Sequence, residues 1–99
     1  MSIRVQLPFH LQRLAGTGEE VLLEVAAPHN WQNLLGTLEQ RYPTLRGAIV
    51  DQSTGKRRPL IRFFACQKDL SFVPPETPLP DAVIQGKEPF MIVGAISGG

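Results

Sequence analysis

Residues 96–99, Ile96-Ser97-Gly98-Gly99, hold the strongest chemical suggestion in this 99-residue chain. With glycine at about 7% of residues, chance puts a pair at two given positions roughly once in 200 chains, so the pair invites a chemical explanation. Glycine has no Cβ. A Gly-Gly tail can therefore enter a channel that any larger residue would block, and it can take φ/ψ values that other residues avoid. What such a tail presents is its α-carboxylate. Chain ends also fray without consequence, so the remaining residues must separate the two readings.

Other chemistry is thin. His10, His29 and Cys66 lie far apart and lack metal-ligand spacing, so no metal site is expected. Cys66 has no sequence neighbour that would act as an activating base and suits a packed or turn position better than a nucleophile. Thr54-Gly55-Lys56 lacks the first glycine of a phosphate-binding loop, and Gly16-Thr17-Gly18 lacks the third glycine of a dinucleotide fingerprint. No G-x-S-x-G elbow is present. The chain is therefore not expected to be an enzyme, and no catalytic residue is assigned. Lys56-Arg57-Arg58 is a short basic run beside a turn, read as solvated surface, with docking of an acidic partner as the alternative.

Composition sets the limits. A chain of this length makes one domain with a single core. Hydrophobic residues at 42% and charged residues at 19% are an ordinary globular mixture. A net charge of +1 argues against nucleic acid or a polybasic membrane contact. The longest apolar stretches are too short to span a bilayer, and Met1-Ser2-Ile3-Arg4-Val5 is no secretory signal. One cysteine excludes an internal disulfide framework and fits a cytoplasmic protein.

The elements that must position the tail follow from periodicity. Ile3, Val5 and Leu7 alternate with Arg4 and Gln6, which predicts a half-buried strand running to Pro8. After a turn around Ala15–Gly18, Val21–Val25 predicts a second strand and so an opening hairpin. Asn30 is a good N-cap. Trp31, Leu34, Leu35, Leu38 and Tyr42 then follow on one helical stripe, and Pro43 ends the helix near Arg41. This is the one clear helix. Ser53-Thr54-Gly55-Lys56 marks a turn, and Leu60–Ala65 predicts a strand. A short edge piece is expected within Asp69–Val73, and an irregular proline-rich connection through Pro80. Phe90-Met91-Ile92-Val93 is the last strand. Phe90 and Ile92 can fill a core, yet Met91 and Val93 on the other face are also apolar. Burial on both sides and an exposed partner patch both fit that pattern. The order gives an α+β fold, one helix on a mixed sheet.

At this point the chain resembles the MoaD/ThiS family of small sulfur-carrier proteins, relatives of ubiquitin with the β-grasp fold. Gln12-Arg13-Leu14-Ala15-Gly16, the helix Trp31–Tyr42 with Pro43, Arg62-Phe63-Phe64-Ala65 and Thr77-Pro78-Leu79-Pro80-Asp81 carry the resemblance in order. The last strand leading to Ala95-Ile96-Ser97-Gly98-Gly99 is its specific element. Extra residues around Asp51–Pro59 and Ser71–Pro80, and Val93-Gly94-Ala95 where molybdopterin-type carriers often have proline, depart from the pattern.

The resemblance implies a four- to five-stranded β-grasp domain over residues 1–93, with first and last strands parallel neighbours, and a flexible tail over 94–99. It implies that a ubiquitin-activating-type adenylating enzyme couples the Gly99 carboxylate to AMP, using ATP and magnesium; the carrier itself holds no cofactor. A sulfur donor such as an enzyme persulfide then displaces AMP and leaves a thiocarboxylate for an acceptor synthase subunit, with a molybdopterin-type pathway favoured. Gly98, Ser97 and Ile96 would thread the partner's channel, and Met91 and Val93 would meet the partner's surface. A protein modifier joined through Gly99, or a plain interaction module whose tail is never activated, remain the alternatives.

Overall fold

Ile3 and Val5 point one way and Arg4 and Gln6 the other. In the computed structural model, which describes residues 2–94, they form strand β1 (Ser2–Gln6) with the first pair buried and the second partly exposed. Strand β2 (Glu20–Glu24) pairs with it antiparallel, Val5 opposite Val21 and Ile3 opposite Leu23, so all four side chains enter one core.

The connection differs from expectation. Helix α1 (Phe9–Ala15) fills the stretch between the strand expected to run to Pro8 and the turn expected at Ala15–Gly18. The Leu11 and Gln12 amides donate to the Pro8 carbonyl at 3.0 Å, and Gly16 closes the helix at φ 71, a left-handed conformation that glycine adopts at no steric cost. Only Leu11 of this helix is buried, while Phe9 and Leu14 stay exposed. One buried position makes no stripe, and without a stripe the helical period is invisible.

Helix α2 (Trp31–Arg41) has the predicted bounds. The Asn30 carboxamide oxygen accepts from the Asn33 amide at 2.8 Å, satisfying one of the orphan donors of the first turn. Trp31, Leu34, Leu35 and Leu38 are buried, each contributing about 1.5–3 kcal/mol by leaving water. Pro43 opens a 3-10 turn (Pro43–Leu45) that buries Leu45.

Strands β3 (Ile61–Ala65) and β4 (Lys68–Asp69) form a tight hairpin whose central residues, Cys66 and Gln67, have φ 52 and 64. Cys66 is thus a turn residue, partly buried. The proline-rich connection that follows is irregular but pinned: the Trp31 indole donates to the Val73 carbonyl at 2.8 Å and the Leu79 amide to the His29 carbonyl at 2.9 Å. It ends in a second short helix beyond the expected one, α3 (Asp81–Ile84). Strand β5 (Phe90–Gly94) completes a five-stranded sheet in the order β2-β1-β5-β3-β4.

Strand β5 runs parallel to β1, with Val5 opposite Phe90, and antiparallel to β3, with Phe63 opposite Ile92. The expected adjacency of first and last strands is therefore present. Inside, the Trp31 and Phe63 rings lie 5.2 Å apart and Phe63 and Phe90 5.3 Å apart, tilted as aromatic quadrupoles prefer. One main helix against a mixed five-stranded sheet is the β-grasp architecture.

Candidate functional site

Gly99, Gly98, Ser97 and Ile96 lie outside the described residues; the structure describes where β5 delivers the chain. The strand takes in Gly94, opposite Ile61 of β3, and the flexible tail expected after it lies outside the described residues from 95 on. Phe90 and Ile92 are buried in the core, at 0% and 2% exposure, and anchor the strand. Met91 and Val93 face the opposite side at 37% each, which decides between the two readings of this strand in favour of exposure.

The register supplies their neighbours. Met91 stands opposite Phe64 of β3 and beside Gln6 of β1, and Val93 stands opposite Arg62. Phe64 is only half-buried, so the outer face of the sheet carries a short apolar ridge, Phe64–Met91–Val93, ending at the root of the tail. The Arg62 guanidinium flanks it, 3.5 Å from the Asp69 carboxylate and 5.3 Å from the centre of the Phe72 ring. Asp69 is held below the usual carboxylate range, first by the Ser71 hydroxyl, then by the Ser71 amide at 2.8 Å, with Arg62 and Arg57 adding attraction. On the far side of β1, Arg4 and Glu20 pair at 3.0 Å, and that contact holds Glu20 below its ordinary value.

His10 sits at the same root. Its ring lies so close to Gly94 that a Cβ added there would come within 2.5 Å of the imidazole Cε1. Glycine at 94 lets the ring rest on the strand where any side chain would displace it. Sequence reading weighed His10 only as a metal ligand, and its place beside β5 follows from α1, which that reading lacked. Arg62 and Phe64 were nearer to hand: they alternate with the buried Ile61, Phe63 and Ala65.

Arg57, read as part of a solvated run, is tied into the fold instead. Its guanidinium donates to the carbonyls of Ser71 (2.9 Å), Arg58 (3.1 Å) and Ile61 (2.5 Å) and lies 5.0 Å from the Phe72 ring centre. Arg58 donates to the Gly47 carbonyl. Lys56 remains exposed. Among the described residues no group of three or more His, Cys, Asp or Glu side chains could hold a metal ion. Among them, too, no helix is long and apolar enough to cross a membrane.

These features define the class: a β-grasp domain whose last strand carries an exposed apolar ridge towards a Gly-Gly sequence. Comparison with protein-family models and with curated proteins finds no match. Solved structures do match. SAMP1 from Haloferax volcanii shares 17% identity at a TM-score of 0.77, with 100% of each chain covered. The Amycolatopsis orientalis BexX/CysO complex matches at 20% and 0.73, covering 97% of this chain and 98% of that one. Urm1 from Trypanosoma brucei matches at 20% and 0.68, covering 99% and 95%. Likeness at this identity establishes the fold.

Proposed function

We propose that the protein is a ubiquitin-like carrier whose Gly99 carboxylate is activated by a partner enzyme and converted to a thiocarboxylate. The observation that carries this reading is β5: its inner face is core, its outer face is the Phe64–Met91–Val93 ridge, and it points the chain towards Gly98-Gly99. A carboxylate resists nucleophilic attack because of its charge and its poor leaving group. In an adenylating partner that uses ATP and magnesium, a carboxylate oxygen attacks the α-phosphorus of ATP, the bond to the β-phosphate breaks, and pyrophosphate leaves an acyl adenylate behind. A persulfide sulfur then attacks the carbonyl and expels AMP, and a thiol reduces the resulting acyl disulfide to the thiocarboxylate. Gly98, Ser97 and Ile96 are small or slender enough to thread the partner's channel, while Met91 and Val93 dock on its surface. The chain itself contributes no acid or base to this sequence; it supplies a carboxylate and a body to hold.

The fold shared with CysO, solved in a complex with BexX, supports a role in which such a body docks on a second protein. A second reading has a specific observation behind it: three of the matching structures are of SAMP1, small archaeal modifier protein 1, which favours conjugation through Gly99 to a lysine amine. Intact-mass analysis of the protein purified beside its native partners separates the readings. Replacement of one terminal oxygen by sulfur supports the carrier, conjugates on other proteins support the modifier, and an unmodified Gly99 under all conditions overturns both. Deletion of Gly99 should abolish AMP transfer while leaving the melting temperature unchanged.

A further inference from the structure

Five of the ten basic residues, Lys56, Arg57, Arg58, Arg62 and Lys68, fall between positions 56 and 72, where Asp69 is the one acid. Arg62 and Lys68 lie on β3 and β4, Lys56 and Arg57 border Phe72 just beyond them, and Arg58 turns away to the Gly47 carbonyl. The basic edge is not merely a solvated face. Phe72 stands there at 76% exposure, the most exposed large hydrophobic side chain among the described residues, with the guanidinium groups of Arg57 and Arg62 5.0 and 5.3 Å from its ring centre. Arg57 is itself fixed by three backbone carbonyls, so the ring is held outwards by a rigid support.

Beside Phe72 lies a cleft of about 300 Å³ whose walls include Lys56, Arg57 and Pro74. A second, more apolar cleft of about 220 Å³ opens between Leu70, Leu79 and Pro80, with Lys68 on its wall. The two share Trp31 and Val73, which the indole-to-carbonyl hydrogen bond locks together. The result is one two-lobed groove with an apolar floor and a cationic group in each lobe. It lies at the start of α2 and the proline-rich connection, and Phe72 on its rim meets Arg62, which flanks the Met91–Val93 ridge.

We propose that this groove docks an extended partner segment in which apolar side chains alternate with acidic ones. The lobes remove the apolar groups from water, and Lys56 and Lys68 meet the carboxylates between them. Charge complementarity selects this occupant: Lys56, Arg57, Arg62 and Lys68 outnumber the acids Asp69 and Glu76 beside the groove, so acidic groups gain attraction and a basic segment would be repelled. The lining contains none of Phe64, Met91 and Val93, so, resting on the carrier reading, the groove would bring a second protein to the carrier through residues the ridge does not use.

Trp31 is the only tryptophan and lines both lobes, so its fluorescence reports occupancy. The probe is a blocked Glu-Leu-Asp-Leu-Glu peptide, titrated against the full chain, with Lys-Leu-Lys-Leu-Lys and Glu-Ser-Asp-Ser-Glu as controls. Saturable binding of the first alone is expected, with amide NMR shifts confined to the surroundings of Trp31, Leu70, Phe72 and Leu79. Lys56→Glu and Lys68→Glu should each weaken it about fivefold, the scale of one exposed ion pair. Phe72→Ala should weaken it about tenfold or more, as loss of an aromatic anchor does. All three positions are exposed, and unchanged circular dichroism would confirm that the variants fold. No saturation at millimolar peptide, equal binding of the lysine peptide, indifference to all three substitutions, or shifts centred on Met91 and Val93 would each overturn the proposal.

Discussion

Phe90 and Ile92 lie against the helix-covered side of the sheet with almost no exposure, whereas Met91 and Val93, equally apolar and one residue away, keep 37% each. Residue type does not distinguish the two pairs. What separates them is the layer: α2 with its Trp31–Leu38 stripe covers one face of β5, and no described element packs over the other. Two-residue periodicity sorts the side chains between these environments, so the same chemistry stabilises the fold on one face and offers a surface on the other.

The largest effects should come from breaking the inner face. Phe90→Asp or Ile92→Asp places a carboxylate in the core without a partner and should cost about 4 kcal/mol or more, a large share of a small domain's stability. Denaturant melts will read this directly. Met91→Asp and Val93→Asp should change stability by under about 1 kcal/mol, because the carboxylate stays in water. They should instead raise the KM for adenylation by about tenfold, measured by pyrophosphate exchange with the partner enzyme. Melting of the Met91 variant and survival of the Ile92 variant would mean that the faces are reversed.

Gly94→Ala sharpens the comparison at the strand's end. The new methyl should push the His10 ring aside at a cost under about 1 kcal/mol, since an exposed ring can swing away. His10→Ala should relieve that cost, so a double-mutant cycle over the two positions should show coupling between them. Asp69 gives the smallest effect. Its folded-state pKa is depressed, so its contribution is present above the ordinary carboxylate pKa and is lost as pH falls through and below that value. Wild type and Asp69→Asn should therefore differ slightly at pH 7, and the difference should shrink as pH falls below the ordinary carboxylate range, as followed by melts at descending pH.

Much of this was legible in the sequence because the signals were local and strong. Asn30 followed by the Trp31–Leu38 stripe and Pro43 fixed both ends of α2, and the alternation in β1, β3 and β5 assigned their faces. Helix α1 was not legible, since Leu11 is its only buried residue and Phe9 and Leu14 break any stripe. Missing α1 meant missing His10 beside Gly94, a contact between residues 84 positions apart that no local pattern records. Arg57 was misjudged for a similar reason: its partners are backbone carbonyls, which carry no sequence signature. The groove around Phe72 depends on loops that meet only in the folded chain.

The place of β5 in the middle of the sheet has a consequence for the order of events during synthesis. Val5 pairs across to Phe90, and neither β1 nor β3 gains its shared neighbour until that last strand arrives. At about 5–20 residues per second, the 85 positions between Val5 and Phe90 take a ribosome roughly 4 to 17 s. For that interval the N-terminal hairpin waits with one edge open, and the closing contacts are among the most distant the chain can make, which slows folding. A chain cut short before residue 90 thus lacks the strand that joins the two halves of the sheet. Closure of the sheet therefore waits on the synthesis of β5, and the two halves of the domain are joined only once residues 90–94 have been made.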